Sequence, residues 1–316
     1  MTHANAGTLL LSHPACLGHD PGEGHPESPM RLEAVMRALE GEAFRALDRR
    51  QAPLATAAEL ARVHPADYVE AVLEALPDEG RVMLDGDTVA SPGSREAALR
   101  AAGAVIAAVD AVATGEARNA FCAVRPPGHH AEAARPMGFC IFNNIAVGAL
   151  HARAAHGLER VAVVDFDVHH GNGTQHLFEA DPALFYASTH QWPFYPGTGA
   201  SGERGCGNIW NLPLPANAGS REFKAAFEEV ILPALDRFRP DLVMVSAGFD
   251  GHRADPLAML QLDESDYVWV TGALMRIADR HAGGRLVSAL EGGYDLGALA
   301  ASTAAHVGRL MASGKP

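Results

Sequence analysis

Six short apolar, β-branched runs recur along the chain: Thr8–Ser12, Ala120–Val124, Val161–Asp167, Leu184–Ser188, Leu242–Ala247 and Leu286–Leu290. Ala-rich segments with helical spacing lie between and beyond them, at Pro29–Leu39, Ala58–Ala75, Ser94–Ala113, Asn144–His156, Ser220–Arg237, Glu264–Arg280 and Gly297–Met311. This alternation argues for βαβ units, hence an α/β fold with a largely parallel sheet and helices on both faces. No repeat, low-complexity tract or linker interrupts the pattern. Residues 1–316 therefore read as one domain, and 48% hydrophobic content over 316 residues suffices for a large core.

The segments outside these elements are rich in Gly, Pro, His and Asp, and most follow directly on a strand candidate. Open parallel sheets bind ligands beyond the carboxyl ends of their strands. Polar clusters far apart in sequence should therefore meet in one place.

The stretch VAVVDFDVHHGNG (161–173) ends an apolar strand in two carboxylates and two imidazoles. Asp167 and His169 stand at i and i+2, so on extended backbone they point the same way. A third ligand is expected from SAGFD (246–250), where Asp250 follows the run LVMVSAG. One histidine and two carboxylates suit zinc with its fourth position open, the mark of a catalytic site. Taken singly, Asp167 and Asp250 read better as helix N-caps.

A second histidine pair, His129 and His130, sits in RPPGHHA (125–131) after another apolar run. A neutral histidine serves as a general base, and each ring needs a partner that fixes its tautomer. Asp165 is assigned to His129 and Asn172 to His130. A carboxylate raises its imidazole's pKa far more than an amide does, which leaves His130 neutral near pH 7. His170 is left without a catalytic task. EGGYDL (291–296) places Tyr294 at the sheet's carboxyl edge, where its hydroxyl can donate to a developing oxyanion. By itself that motif fits a tyrosine packed under a loop just as well.

The net charge of −13 and the lack of a Lys/Arg cluster exclude a nucleic-acid binder of the usual kind. No apolar run approaches the ~20 residues needed to span a bilayer, and the N-terminus lacks a secretory pattern. The four cysteines have no CxxC spacing, so reduced thiols and a cytoplasmic protein are expected. Acidic residues in loops, Asp20, Glu23, Glu27, Asp85 and Asp87, are candidates for steering a cationic substrate. The oligomeric state, homo-oligomer included, is left open.

With RPPGHHA, DFDVHHGNGT, SAGFD and EGGYDL in this order, the chain resembles the zinc-dependent histone deacetylase family. That family includes bacterial deacetylase-like amidohydrolases and acetylpolyamine amidohydrolases. The likeness runs from HPESPMRL to Tyr294. It implies the arginase/deacetylase-like three-layer α/β fold with a largely parallel eight-stranded sheet. It also implies one zinc per chain on Asp167, His169 and Asp250, with His129, His130 and Tyr294 as catalytic residues. Gly138 matches the glycine whose carbonyl meets the substrate amide. Phe139 and Tyr195 match the aromatics flanking the acyl-lysine tunnel, and Arg31 the arginine near the internal channel below the zinc. The resemblance further implies structural potassium. One site would use Asp165, Asp167, His169 and Ser188 with the Thr189 carbonyl, and a second would use Phe178, Asp181 and Leu184. Asn172 stands where class I enzymes carry Asp, which points to the class II branch. Leu257 occupies a rim position where a polyamine-selective relative carries Glu.

The implied reaction is removal of acetyl or short acyl groups from acylated lysine side chains by metal-activated water, with acetylated polyamines as the alternative substrates. An arginase-like binuclear manganese enzyme is the rival in metal chemistry, and its D-x-H-x-D pattern meets Gly171 here. A non-enzymatic acyl-lysine binder is the rival without catalysis, and the intact His129, His130 and Tyr294 oppose it.

Overall fold

The computed structural model describes residues 7–312. Its strands are β1 (Thr8–Ser12), β2 (Asp48–Gln51), β3 (Val82–Met83), β4 (Val89–Ala90), β5 (Asn119–Cys122), β6 (Val161–Asp165), β7 (Leu184–Gln191), β8 (Ile209–Leu214), β9 (Leu242–Ala247) and β10 (Leu286–Leu290). The helices are α1 (Pro29–Ala38), α2 (Ala57–Leu60), α3 (Ala66–Ala75), α4 (Ser94–Thr114), α5 (Asn144–His156), α6 (Asn172–Phe178), α7 (Ser220–Ala226), α8 (Leu232–Phe238), α9 (Glu264–His281) and α10 (Leu296–Met311). Eight strands form one sheet in the order β2-β1-β5-β10-β9-β6-β7-β8, and every pairing in it is parallel. A small antiparallel hairpin, β3–β4, stands apart.

The central strands are apolar without alternation because both faces are covered. Ser288 pairs in register with Val245, and Val287 with Met244, so the two pairs face opposite sides. On one side Met244 meets α4 and α5 near Val105 and Gly148. On the other, Ser288 bonds His306 of α10. Against the sequence reading, which finds no apolar run near bilayer length, α4 is long and apolar enough by length and composition to cross a membrane, but 67% of that stretch is buried in the core.

The structure departs from the sequence reading at several elements. The helix expected over 58–75 is two helices, because Pro65 interrupts it and caps α3. The helix expected over 220–237 widens into a π turn at Phe227–Ile231. β2, β8 and the β3–β4 hairpin were not expected, and β7 runs three residues further than its apolar run. β6 stops at Asp165, so Asp167 and His169 lie in the bend beyond the strand rather than on it.

The four site-bearing motifs follow β5, β10, β9 and β6. These are four adjacent strands at the centre of the sheet. Parallel pairing puts all four carboxyl ends on one edge.

Candidate active site

Beyond β6 the chain turns on its own carboxylates. Asp165 Oδ1 accepts the Asp167 N–H at 3.1 Å, and Asp167 Oδ1 accepts the His169 N–H at 2.8 Å. These side-chain-to-backbone bonds, not strand alternation, bring Asp167 and His169 together. His169 Nδ1 lies 3.0 Å from Asp167 Oδ1 and 3.2 Å from Asp250 Oδ2. Neither aspartate caps a helix; Gly171 stands at the start of α6.

The ligand atoms of Asp167, His169 and Asp250 lie within 4.8 Å of one another, and all three residues are buried or nearly so. Asp250 Oδ1 accepts the Val168 N–H and Asp167 Oδ2 accepts the Gly292 N–H, each at 2.8 Å. Asp250 Oδ2 is buried and makes no well-formed hydrogen bond, although His169 Nδ1 lies 3.2 Å away. A buried carboxylate oxygen so poorly satisfied is the complement of a cation. A Cβ on Gly292 would overlap Asp250 Oδ2, and one on Gly248 would overlap Asp167 Oδ2, so both glycines keep this cradle open. Burial, with Asp167 adding repulsion, pushes the Asp250 carboxyl up to about 7. Such a pair demands positive charge, and the set fits a divalent ion.

A second group, Asp110, His151 and His156, is built differently. Asp110 Oδ1 lies 2.6 Å from each Nε2, and Arg62 donates to His151 Nδ1 at 2.6 Å. These are hydrogen bonds that satisfy one another, with no orphaned atom.

The tandem histidines stand beside the metal set, their ring centroids 4.0 Å apart. Asp165 Oδ2 lies 2.9 Å from His129 Nδ1, and Asn172 Oδ1 lies 2.8 Å from His130 Nδ1. Asn172 Nδ2 donates to Glu132 at 2.9 Å, which fixes the amide's orientation. Its Oδ1 can then only accept, so the His130 proton sits on Nδ1 and Nε2 is free. Burial alone would lower the His129 pKa, but Asp165 and Asp167 outweigh it and raise it to about 10. Burial holds His130 well below its ordinary value, and the neighbouring charge on His129 adds to this. Two adjacent histidines thus carry opposite protonation preferences.

Tyr294 follows β10. Its N–H donates to Asp255 Oδ2 at 2.7 Å, and the Arg31 guanidinium lies 4.9 Å from its ring centroid. Arg31 also donates to the carbonyls of Gly293 and Glu291 and pairs with the buried Glu27. Phe139 stands 6.0 Å from Tyr294, and Tyr195 stands 5.2 Å from His130, measured between ring centroids. Gly138 has φ 57°, and a Cβ there would strike the His130 ring. Leu257 is half-buried, its N–H held by Asp255. Ser188 is the in-register neighbour of Asp165 on β7 and bonds His190. His170 bonds Thr198 and Gln175.

Two residues escaped the sequence reading. Glu291 Oε2 accepts the N–H groups of Gly128 and His129 and so pins the histidine turn. Asp255 holds the Tyr294 backbone. Glu291 follows β10 directly, inside EGGYDL, and that position was the available signal; Asp255 lies in the loop beyond β9, five residues past SAGFD, where no strand end marks it. Four of the five candidate steering acids are engaged. Asp20 pairs with Arg81 and Asp85 with Arg135. Glu27 is buried among arginines, and Asp87 accepts the Gly138 N–H.

The family profile described as histone deacetylase domain matches residues 25–310. The histone deacetylase-like amidohydrolase of Pseudomonas aeruginosa is 46% identical over 277 residues, covering 86% of this chain and 73% of that protein. The human polyamine deacetylase HDAC10 is 40% identical over 335 residues, covering 98% of this chain and 49% of that protein. The crystal structure of the HDA15 HD domain superposes with a TM-score of 0.90 at 37% identity, covering 98% of this chain and 90% of that one. Profile, relatives and fold agree: the chain belongs to the histone deacetylase family of hydrolases.

Proposed function

We propose that this chain is a zinc-dependent amidohydrolase that removes acetyl or other short acyl groups from acylated lysine-type amines. The observation carrying this reading is the junction of the Asp167–His169–Asp250 set with two histidines of opposite protonation preference. Two carboxylates and one imidazole suit zinc with a position left open. When bound, zinc supplies Lewis-acid polarisation of the amide carbonyl and acidifies water.

His130 takes a proton on Nε2 as water adds to the carbonyl carbon. The Tyr294 hydroxyl donates to the oxyanion. The C–N bond then breaks, and His130 returns the proton to the leaving amine. Amide and water become amine and carboxylic acid. His129 stays charged on Asp165 and keeps His130 neutral between turnovers. The Gly138 carbonyl accepts the substrate N–H, Phe139 and Tyr195 wall the acyl-lysine stem, and Arg31 closes the floor. A potassium ion near Asp165, Ser188 and the Thr189 carbonyl is proposed as structural support.

Acetylpolyamine hydrolysis is the second reading. Leu257 at the rim and the engaged acids offer little to a second ammonium group, so acyl-lysine is preferred. A binuclear manganese site is disfavoured because a Cβ at Gly171 would overlap Asp165 Oδ2 and crowd Tyr186. A panel of acetyl-lysine peptides, longer acyl-lysines and acetylpolyamines, with and without a hydroxamate chelator, tests the proposal. Chelator-sensitive turnover favouring acyl-lysine is expected. Preferred turnover of acetylpolyamines would reverse the substrate assignment, and no turnover of any amide would remove the enzyme reading.

A further inference from the structure

Three backbone carbonyls, of Phe178, Asp181 and Leu184, converge between α6 and β7. The point they surround is filled by a side chain. Asn208 Nδ2 lies 2.8, 3.0 and 2.7 Å from them respectively. The carbonyls are aimed by the turn itself: Asp181 N–H donates to Phe178 O and Leu184 N–H to Asp181 O, each at 3.0 Å. Asn208 is buried just ahead of β8, and its own carbonyl accepts the Tyr186 N–H.

The amide has only one workable orientation. Flipped, its oxygen would face three carbonyl oxygens. As placed, Oδ1 accepts the Cys206 thiol at 3.3 Å. The –NH2 group has two hydrogens for three acceptors, so the carbonyl cluster carries more acceptor capacity than the amide uses. Converging carbonyls of this kind replace the hydration shell of a monovalent cation. These are the three residues that the family resemblance gives to a second potassium ion. An ion and the Asn208 amide cannot share the point.

We infer that Asn208 replaces the second potassium ion in this chain. A tethered, partly positive –NH2 group holds the α6–β7 turn where an ion would otherwise do so. Of the two positions the resemblance implies, the one near Asp165 and Ser188 remains for a monovalent ion.

Asn208→Ala removes the amide and leaves the carbonyls in place. In the zinc-loaded protein, the variant should melt below wild type in choline chloride and recover in potassium chloride. Wild type should differ much less between the two salts. Thallium(I), a potassium probe counted by equilibrium dialysis, should bind at one more site per chain in the variant than in wild type. Two thallium ions per wild-type chain would overturn the inference, as would a folded variant that gains neither an ion nor potassium-specific recovery. Should the variant not fold, the wild-type count decides alone, with at most one ion per chain in support and two against.

Discussion

Replacing Asn172 by Asp should raise the pKa of His130 by exchanging its amide partner for a carboxylate. The structure contains both arrangements. His129 on Asp165 is raised to about 10, while His130 on Asn172 is held well below its ordinary value. A carboxylate and an imidazolium about 4 Å apart at an effective dielectric near 20 attract by about 4 kcal/mol. That corresponds to a pKa rise of about three. Two effects reduce it. Glu132, 2.9 Å from Asn172 Nδ2, would repel the new carboxylate, and burial disfavours its charge. A rise of roughly one or more should survive. The acid limb of kcat/KM for an acetyl-lysine peptide, followed across the pH range at constant metal content, should move up by that amount. Adding Glu132→Gln should enlarge the shift. An acid limb unmoved in Asn172→Asp would refute the assignment of His130 as the base.

Tyr294→Phe should lower turnover about 10²–10³-fold in steady-state assays while leaving bound metal unchanged; a loss below about threefold would end its oxyanion role. Gly171→Ala should cost about 1–3 kcal/mol in denaturant melts, because its Cβ meets Asp165 and Tyr186. Buried histidines should make stability fall in mild acid. Burial lowers His64 to about 4 against an unfolded value near 6.5, so between those values only the unfolded state takes up the proton. Its contribution is intact above pH 6.5 and falls by about 3 kcal/mol on approaching pH 4. Urea midpoints should drop over that window and drop less in His64→Gln; equal slopes would contradict this.

The legible part of the fold was the part that buries apolar runs on both faces. The cores of β5, β6, β9 and β10 announced themselves, and their following motifs carried the site. β2 reads Asp48-Arg49-Arg50-Gln51 and is exposed along its length, so no hydrophobic pattern marks it. β8 holds Asn211 and Pro213 within a Gly-rich segment, and its pairing with β7 decides its state rather than propensity. The partners of His129 and His130 were legible because a lone carboxylate and a lone amide lay beside the metal motif. The way Asp167 meets His169 was not, since it depends on turns made by the aspartates' own oxygens. Glu291 and Asp255 act on backbone N–H groups distant in sequence, and only the sheet order brings those groups within reach.

The central claim is that one metal ion, held by Asp167, His169 and Asp250, drives amide hydrolysis here. Elemental analysis of the active protein beside Asp250→Asn tests it most directly. One zinc per chain in the active protein, lost together with activity in the variant, is the predicted result. Two manganese ions per chain, or full activity in a metal-free protein, would contradict it.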